Sequence, residues 1–589
     1  MTDDESIPTP RHCTSPCASK QSPAEVRSKT RTSSKPTKNC KSKVKNVTKT
    51  TIKKVTRKKN VTANTTKPNK NDEANRLWKN VDETFLHPNS NTHFVEHVGL
   101  KRPAYQADSP LECLRLFLTA EVLNQIVTET NRYRTQQNAA KPSPLPWHDL
   151  TVEELLAFFA IILAMGLIKL PELELYWRRN SIFEMHWFGS ILTIRRFKQI
   201  LRYLHLSNNQ ADLPPGDPNR DKLFKLGMLP SILSQKFFAM NAPARELSID
   251  EQMIGTKARI SFIQYMPKKP KKFGIKIWAL CESQSGYCLQ FQIYTGKSAD
   301  AVEHGLAYRV VFDLMKKYLN KNYVVYFDNF YTSFKLMDDL DKKQTYACGT
   351  LRKGRAQLPS EFVNAKLDVG DAIYRKRNNT VAVHWKDKRD VFCLSTFHAP
   401  GETLVNRYIG EVTKPNIVCE YNTYMGGVDK LDQFLSYYTL CRKSTKWWKK
   451  VFFRLLELCV VNAFCIYNAK HPKFKESRRS HQKFREALIY ELIQPLINKR
   501  DQEEANSNAT IPENRPVKRR TVSSTRLKGK HYSSETEGRK KCTVCAYQIN
   551  QKTGKRRDTK TRNFCEKCNV HVCKKCFKKF HTTVNLKKK

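Results

Sequence analysis

The sequence has little acid relative to base and no long hydrophobic run. Of its 589 residues only 55 are Asp or Glu, against 105 Lys or Arg, which gives a net charge of +50. Such an excess repels itself unless a polyanion is nearby, so nucleic acid is the expected partner. The longest apolar run, Leu155 to Ile168, is too short to span a bilayer and is typical of a buried helix, so no membrane partner is expected.

We also expect no secretory leader, because no stretch resembles one and the opening MTDDESIPTP has neither a basic nor an apolar segment. The chain is therefore expected to stay inside the cell. The 18 cysteines are not expected to form disulfides in a reducing compartment. Clustered cysteines then indicate metal ligands, and scattered ones indicate core packing.

The positive charge is concentrated at both ends of the chain. Residues 1–75 carry +12 and residues 515–589 carry +20, which leaves +18 on the 439 residues between them. The first segment has almost no aromatics and cannot offset the entropy of ordering by apolar burial, so we expect a disordered basic region over residues 1–104. Basic clusters near both ends, such as Lys58-Lys59 and Arg519-Arg520, resemble import signals and predict a nuclear protein.

The periodicity of apolar residues divides the rest of the chain. Helical spacing follows Ser109-Pro110 and the capping-box pattern Thr151-x-x-Glu154, which indicates an all-helical segment. From about residue 246 three short strands are followed by helix, strand, helix and strand, the order of a ribonuclease-H-like fold.

We therefore predict an α+β multidomain protein with a ribonuclease-H-like catalytic core, a β-rich insertion, a flanking helical domain and a C-terminal Cys/His zinc module. The predicted segments are 105–245 (helical, first part), 246–352 (catalytic core, first part), 353–412 (β-rich insertion), 413–438 (core, last part), 439–500 (helical, second part), 501–530 (basic linker) and 531–589 (Cys-rich zinc-binding domain).

Three aspartates stand at the ends of readable patterns. Asp250 in ELSIDEQMIG and Asp328 in YVVYFDNFYTS close short apolar runs, whereas Asp429 in MGGVDKLDQF opens an amphipathic helix. On a ribonuclease-H-like fold carboxylates at these places converge. They predict a site for two Mg²⁺ (or Mn²⁺) ions that acts on phosphodiesters, and Asp432, on the same helical face as Asp429, is a fourth ligand or a neighbour of the ligands.

The C-terminal segment carries metal-ligand spacing. Its ligand-type residues are Cys542, Cys545, Cys565, Cys568, Cys573, Cys576 and His581. Three CxxC pairs and a histidine exceed one tetrahedral site, so we expect two Zn²⁺ in an interleaved module. The eighth ligand is either His571 or His531.

Basic clusters predict contacts with DNA phosphates. The candidates are Lys271 and Lys272, Arg352 and Arg355, and Arg442 and Lys443 with the stacking face of Trp447. A solvated surface is the alternative explanation for each cluster, and Trp447 could equally belong to a helix core.

These motifs together resemble the piggyBac-like transposases, a branch of the DD[E/D] integrase superfamily. The resemblance covers roughly residues 105–589 and rests on SIDEQ, KPKKFGIKIWALCES, YFDNFYTS, CGTLR, YNTYMGGVDKLDQ, KWWKKVFF and the CxxC-rich tail. It implies cut-and-paste transposition into TTAA sites by a homodimer bound to double-stranded DNA.

The resemblance also implies roles for individual residues. Asp250, Asp328 and Asp429 fall on the catalytic positions of that family, and Asp432 falls on the neighbouring acidic one. Arg352 and Arg355 fall on positions that touch DNA, and the tail falls on the domain that reads the terminal repeats of the element. The helical segments correspond to the dimerisation and DNA-binding domain.

Two other functions compete with an active transposase. The first is a domesticated descendant that binds DNA without cutting it, which the intact aspartates disfavour. The second is a RING-type ubiquitin ligase, which the core motifs and the strong positive charge of the tail disfavour.

Overall fold

The computed structural model describes residues 77–81, 84–142, 144–179, 182–214, 216–267, 269, 271–296, 304–354, 357–407, 410–439, 444–509, 531–547 and 558–582. All of them belong to one compact unit, Pro68–Lys589. The fold is mixed α/β with a large mixed sheet and a small Cys/His-rich segment at its C-terminal end.

The elements follow one another along the chain with these bounds. The helices are α1 (Arg102–Gln106), α2 (Pro110–Arg115), α3 (Ala120–Ala140), α4 (Val152–Leu167), α5 (His186–Ile191), α6 (Ile194–Tyr203), α7 (Leu229–Met240), α8 (Leu306–Met315), α9 (Phe334–Asp341), α10 (Ser360–Val363), α11 (Asn416–Tyr424), α12 (Gly427–Tyr437), α13 (Trp447–Lys470), α14 (Pro472–Glu476), α15 (Ser480–Ala509) and α16 (Lys574–Thr582). The strands are β1 (Lys79–Asn80), β2 (Gly99–Leu100), β3 (Asn241–Ala242), β4 (Glu246–Gly255), β5 (Gln264–Tyr265), β6 (Phe273–Glu282), β7 (Cys288–Ile293), β8 (Val324–Phe327), β9 (Tyr346–Leu351), β10 (Ala372–Arg377), β11 (Thr380–Lys386), β12 (Asp390–Ser395), β13 (Glu402–Arg407), β14 (Gly410–Pro415), β15 (Ser534–Lys541), β16 (Lys560–Cys565) and β17 (Val570–His571).

The helical region builds one core from segments that are far apart in the sequence. α4 is buried along most of its length because VEELLAFFAIILAMGL is apolar on nearly every face. α15 packs along α4, and both α13 and α15 pack against α2. The predicted helical segments before and after the sheet therefore share a core.

Both predicted helix starts are confirmed. Ser109 caps α2 in a full capping box with Glu112. At the start of α4 the Thr151 side chain accepts a hydrogen bond from the backbone N–H of Glu154. The Glu154 carboxylate is engaged by Arg196, whose Nε lies 3.0 Å from Oε1, and this buried ion pair joins α4 to α6.

A ten-stranded sheet runs in the order β1-β10-β11-β12-β9-β8-β4-β6-β5, and β7 also pairs with β6. β6 is antiparallel to β4 and β7 is antiparallel to β6, whereas β8 is parallel to β4 and β9 is parallel to β8. β8, with the sequence VVYF, is buried at every position, as expected of a parallel strand covered on both faces.

The segment expected to be an insertion is largely continuous with this sheet. β10, β11 and β12 pair as antiparallel neighbours, and β12 joins the edge of β9. β13 and β14 form a separate two-stranded hairpin at the end of the segment. β10, β11 and β12 therefore extend the sheet by strand addition, because backbone pairing at an open edge satisfies its free N–H and C=O groups.

The prediction of disorder up to residue 104 is wrong for residues 77–104, although residues 1–76 lie outside the described residues. Trp78 is buried and its Nε1 donates to the carbonyl of Gln357 at 2.7 Å. β1 pairs with β10, and Ala104 of α1 is fully buried. The basic linker also begins later than predicted, because α15 continues to Ala509.

α13 is long and apolar enough to cross a membrane by length and composition alone. However, 83% of its most apolar window is buried inside the protein. Such burial is typical of a core helix, so this single helix is weak evidence for a membrane span.

Candidate active site and metal centres

Two of the predicted aspartates lie side by side at the ends of neighbouring strands. β4 and β8 are parallel, and the last paired residues in their register are Ile249 and Phe327. The next residue of each chain segment is Asp250 and Asp328 respectively. Because neighbouring strands lie about 4.8 Å apart, the register places the two carboxylates at the same level of adjacent strands.

Burial dominates the electrostatics of this pair. It raises the pKa of Asp250 to about 8, helped by the negative charge of Glu251. Burial also raises the pKa of Asp328, against the opposing effects of the Phe330 N–H, which donates to Oδ1 at 2.8 Å, and of the Lys276 charge. Both carboxylates therefore lie where negative charge is costly unless a cation compensates it.

α12 carries the other two acids and is seated by a glycine. A Cβ added to Gly427 would lie 2.4 Å from Ser248 Oγ and 3.0 Å from the carbonyl oxygen of Glu282, so only glycine allows this close approach. α12 packs against β4 and β6 as a result. The second glycine of MGGVDKLDQ thus places the helix over the strand that bears Asp250.

The two acids of α12 differ in environment. Asp429 is exposed, whereas burial raises the pKa of Asp432 despite the charges of Arg454 and Lys269. Among the described residues, no three carboxylates place ligand atoms within 4.8 Å of one another. The register thus places Asp250 and Asp328 at the same level of neighbouring strands, and Asp429 and Asp432 lie on the helix packed against the same sheet.

Lys276 and Lys269 lie near the acids, and Lys276 was not predicted from the sequence as a site residue. Lys276 on β6 lies 4.0 Å from the Glu251 carboxylate, and its charge acts on Asp250 and Asp328. Lys269 donates to the Glu251 carbonyl at 3.2 Å and also acts on Asp250 and Asp432. Burial lowers the pKa of Lys276. The sequence feature that could have identified Lys276 is the position of a lysine inside the otherwise apolar strand FGIKIWALCE.

The predicted DNA-contacting residues are divided among several places. Lys271 and Lys272 line a cavity of about 1070 Å³ together with other basic residues. The Arg352 Nε donates to Asn329 Oδ1 at 2.7 Å, and its charge acts on Asp328. Arg355, Arg442 and Lys443 lie outside the described residues.

Trp447 has features both of a residue that stacks on DNA and of a residue in a helix core, the two roles that the sequence allowed. It is half-buried and packs edge-on against Phe262, with ring centroids 5.3 Å apart, whereas Trp448 belongs to the buried core. The indole of Trp447 therefore supports the start of α13, next to the basic cavity.

The cysteines and histidines of the C-terminal segment form two groups of four. One group is Cys542, Cys545, Cys573 and Cys576, and the other is His531, Cys565, Cys568 and His581. Consecutive CxxC pairs along the chain alternate between the groups, as expected of an interleaved module. The residues come from the β15–β17 sheet region and from α16, which buries Phe580 beneath them.

The distances fit zinc. The Sγ of Cys545 lies 3.8 Å from that of Cys573 and 3.6 Å from that of Cys576. Tetrahedral ligands with Zn–S bonds of about 2.3 Å are separated by roughly 3.8 Å. In the second group the Cys568 Sγ lies 3.3 Å from His531 Nδ1 and 3.5 Å from His581 Nε2.

The two candidates for the eighth ligand lie in different places. His531 is a member of the second group, whereas His571 is in neither. The Nε2 of His571 is 3.0 Å from Thr536 Oγ1 instead, and its ring packs against Phe564. Of the two candidates, His531 is therefore the one that lies with Cys565, Cys568 and His581.

Comparisons with known proteins agree with the motifs. The Transposase IS4 family matches residues 109–464. The human PiggyBac transposable element-derived protein 3 is 27% identical over 495 residues, covering 80% of this chain and 76% of the relative. The human PiggyBac transposable element-derived protein 5 is 22% identical over 444 residues, covering 72% of this chain and 82% of the relative.

A solved structure shares the fold. The cryo-EM structure of a piggyBac transposase synaptic complex with hairpin DNA matches with a TM-score of 0.64 and 24% identity. The match covers 82% of this chain and 98% of that chain.

Proposed function

Because the chain belongs to the Transposase IS4 family, in its piggyBac-type branch, we propose that it is a DNA transposase. It performs cut-and-paste transposition of a piggyBac-like element into TTAA sites by metal-dependent DNA cleavage and strand transfer. The register that places Asp250 and Asp328 at the same level of the parallel strands β4 and β8, with α12 packed against β4, is the observation that carries this proposal.

The strand order supports a ribonuclease-H-like catalytic core. β6 is antiparallel to both β4 and β7, and these three strands are followed by β8 and β9, which run parallel to β4. In this class of core, acids at the first strand, the fourth strand and a late helix act together. Asp250, Asp328 and Asp429 hold these positions, with Asp432 one helical turn further along.

The donor set suits Mg²⁺ or Mn²⁺, which prefer carboxylate oxygens. The raised pKa values of Asp250 and Asp328 mark a buried acidic pair whose ionised form a divalent cation stabilises. A pair of bound ions would polarise the attacking oxygen and stabilise the leaving oxygen of the phosphodiester. We assign Asp250, Asp328 and Asp429 as metal ligands.

The remaining residues position DNA. The charges of Lys269 and Lys276 act on Asp250 and Asp328 respectively, and Asn329 orients Arg352, whose charge acts on Asp328. The basic cavity holds phosphates near the acids, because the charge of Lys271 reaches Asp432. The helical core supplies further DNA contacts and the dimer interface.

The partners follow from the same proposal. The structural relative is titled as a synaptic complex with hairpin DNA. We propose that this chain binds the double-stranded terminal repeats of its element and the target as a homodimer in the nucleus. The Cys/His segment, with two Zn²⁺, reads the element ends.

Cleavage by asparagine variants tests the proposal. Asp250→Asn, Asp328→Asn and Asp429→Asn should each abolish excision with Mg²⁺ and leave DNA binding intact, because the amide keeps the shape and loses the charge. Asp432→Asn should have a milder effect. Asp368→Asn, which neutralises an exposed acid in a surface turn, is the matched control and should cleave normally.

The same assay addresses the alternative function. The human relatives are named as derived from transposable elements, so a DNA-binding descendant without cleavage is the competing proposal. Wild-type protein that binds element ends without cutting them would favour that alternative. Near wild-type cleavage by any one of the three variants would remove that aspartate from the active site.

A further inference from the structure

Two exposed aromatic rings adjoin the basic cavity, and the proposed chemistry does not use them. Tyr265 on β5 and Phe273 on β6 are opposite each other in the register of the two strands. Their ring centroids are 4.7 Å apart, and the residues are 58% and 48% exposed. Phe273 also lines the cavity. Core packing does not account for a pair so exposed.

The cavity beside this pair is suited to a polyanion. Its lining includes Lys257, Arg259, Lys271, Lys272 and Lys450, and no Asp or Glu is among the described residues that line it. Lys450 donates to the Gly255 carbonyl at 3.0 Å and so joins α13 to the end of β4.

The first turn of α13 adds to this charge. The helix begins at Trp447, and Lys446 provides no side-chain cap. Backbone N–H groups at an uncapped helix start attract negative charge. Ser444 and Thr445, directly before the helix, line the same cavity.

Phosphate charge and flat rings together favour single-stranded nucleic acid. The bases of a duplex stack on each other, so an aromatic side chain reaches the face of a base only where pairing is interrupted. We propose that Tyr265 and Phe273 form a stacking platform for unpaired bases of the DNA whose phosphates the cavity binds. This inference rests on the proposed function and deepens it.

The distance between the platform and Asp250 predicts which bases the platform contacts, counted from the phosphodiester that is cut. Gly255 lines the cavity and lies five residues beyond Asp250 on β4. At about 3.3 Å per residue this separation is roughly 17 Å, or about five steps of 3.4 Å along a DNA strand. The platform therefore engages bases about five nucleotides from the phosphodiester that is cut.

Equilibrium binding to two DNAs by the full-length chain tests the platform. One probe is a fully paired duplex, and the other has the same sequence with an unpaired segment about five nucleotides long. A fluorescent base analogue in that segment reports stacking by loss of emission. The variants are the double variant Tyr265→Leu/Phe273→Leu, which keeps apolar volume and loses the flat rings, and Phe273→Trp, which keeps a ring. Tyr490→Leu on α15 is the control, since Tyr490 is 62% exposed.

The double variant should bind the paired duplex as wild type does and bind the unpaired probe roughly five- to a hundredfold more weakly, with no loss of emission. Phe273→Trp and Tyr490→Leu should behave as wild type. The platform is refuted if wild type does not prefer the unpaired probe, or if the double variant weakens equally on both DNAs. Neither of these two results depends on cleavage. If wild type cleaves normally and either result is obtained, the stacking platform is refuted and the proposed transposase function is not.

Discussion

Replacing one of two histidines in the C-terminal segment should remove one zinc ion, and replacing the other should remove none. His531 lies within 3.6 Å of the sulfurs of Cys565 and Cys568, whereas His571 contacts Thr536. The structure contains two four-ligand groups, so wild type should hold two Zn²⁺ per chain. His531→Ala leaves three donors in one group and should lower the content to about one.

A complete structural site of this kind contributes about 10–16 kcal/mol of apparent binding free energy, and a site that loses one of its four ligands gives up part of it. His571→Ala removes one hydrogen bond, worth about 1 kcal/mol, and should keep both ions. Elemental analysis of the purified full-length chain gives the zinc content.

Alkylation of native protein gives a second measure of the same loss. Cys565 and Cys568 should become reactive in His531→Ala and stay protected in His571→Ala. Two ions retained by His531→Ala, or one lost from His571→Ala, would refute the assignment of the eighth ligand.

Three further predictions follow from packing and charge. Gly427→Ala should displace α12 and reduce cleavage, since overpacking costs about 1–3 kcal/mol. Gly426→Ala should cleave normally, because a Cβ added there meets nothing within 4 Å. Equal activity of the two variants would contradict the close approach of α12 to β4 at Gly427. Folding raises the pKa of Asp250 from 3.8 to about 8. Between these pH values the Mg²⁺-free folded state keeps a proton that the unfolded state releases. Stability to denaturant should therefore fall as pH rises from 3.8 to about 8. That slope should be shallower in Asp250→Asn, and an unchanged slope would show that this carboxyl does not cause it. Arg485→Met should lower the free energy of unfolding, measured by denaturant titration, by about 3–5 kcal/mol, because it leaves the buried Glu457 unpaired. Adding Glu457→Leu should recover much of this loss. Additive losses would contradict a coupled pair.

The sequence by itself was sufficient for features that depend on local pattern. Apolar spacing and caps located α2 and α4, because helix formation follows periodicity and the needs of the first turn. The run before Asp328 predicted a buried strand, and the paired spacing of the cysteines predicted two metal sites. The motifs around the aspartates were enough to place the chain in its family.

Other features depended on which segments meet in space, and no local pattern contains that information. The expected disorder over residues 77–104 was wrong because Trp78 gains its burial from strands and turns nearly 300 residues away. For the same reason the strands after residue 353 were predicted as an insertion, and the sequence did not show that β12 pairs with β9.

The candidate site shows the same division. Each aspartate was recognisable from its own segment, but only the parallel register of β4 and β8 sets Asp250 beside Asp328. His531 and His571 have equivalent ligand chemistry in the sequence, and only the fold shows that the first lies beside Cys568 and the second beside Thr536. Residue type and spacing determine which chemistry is available, whereas long-range packing determines which groups share a site, because contact depends on distance in space rather than along the chain.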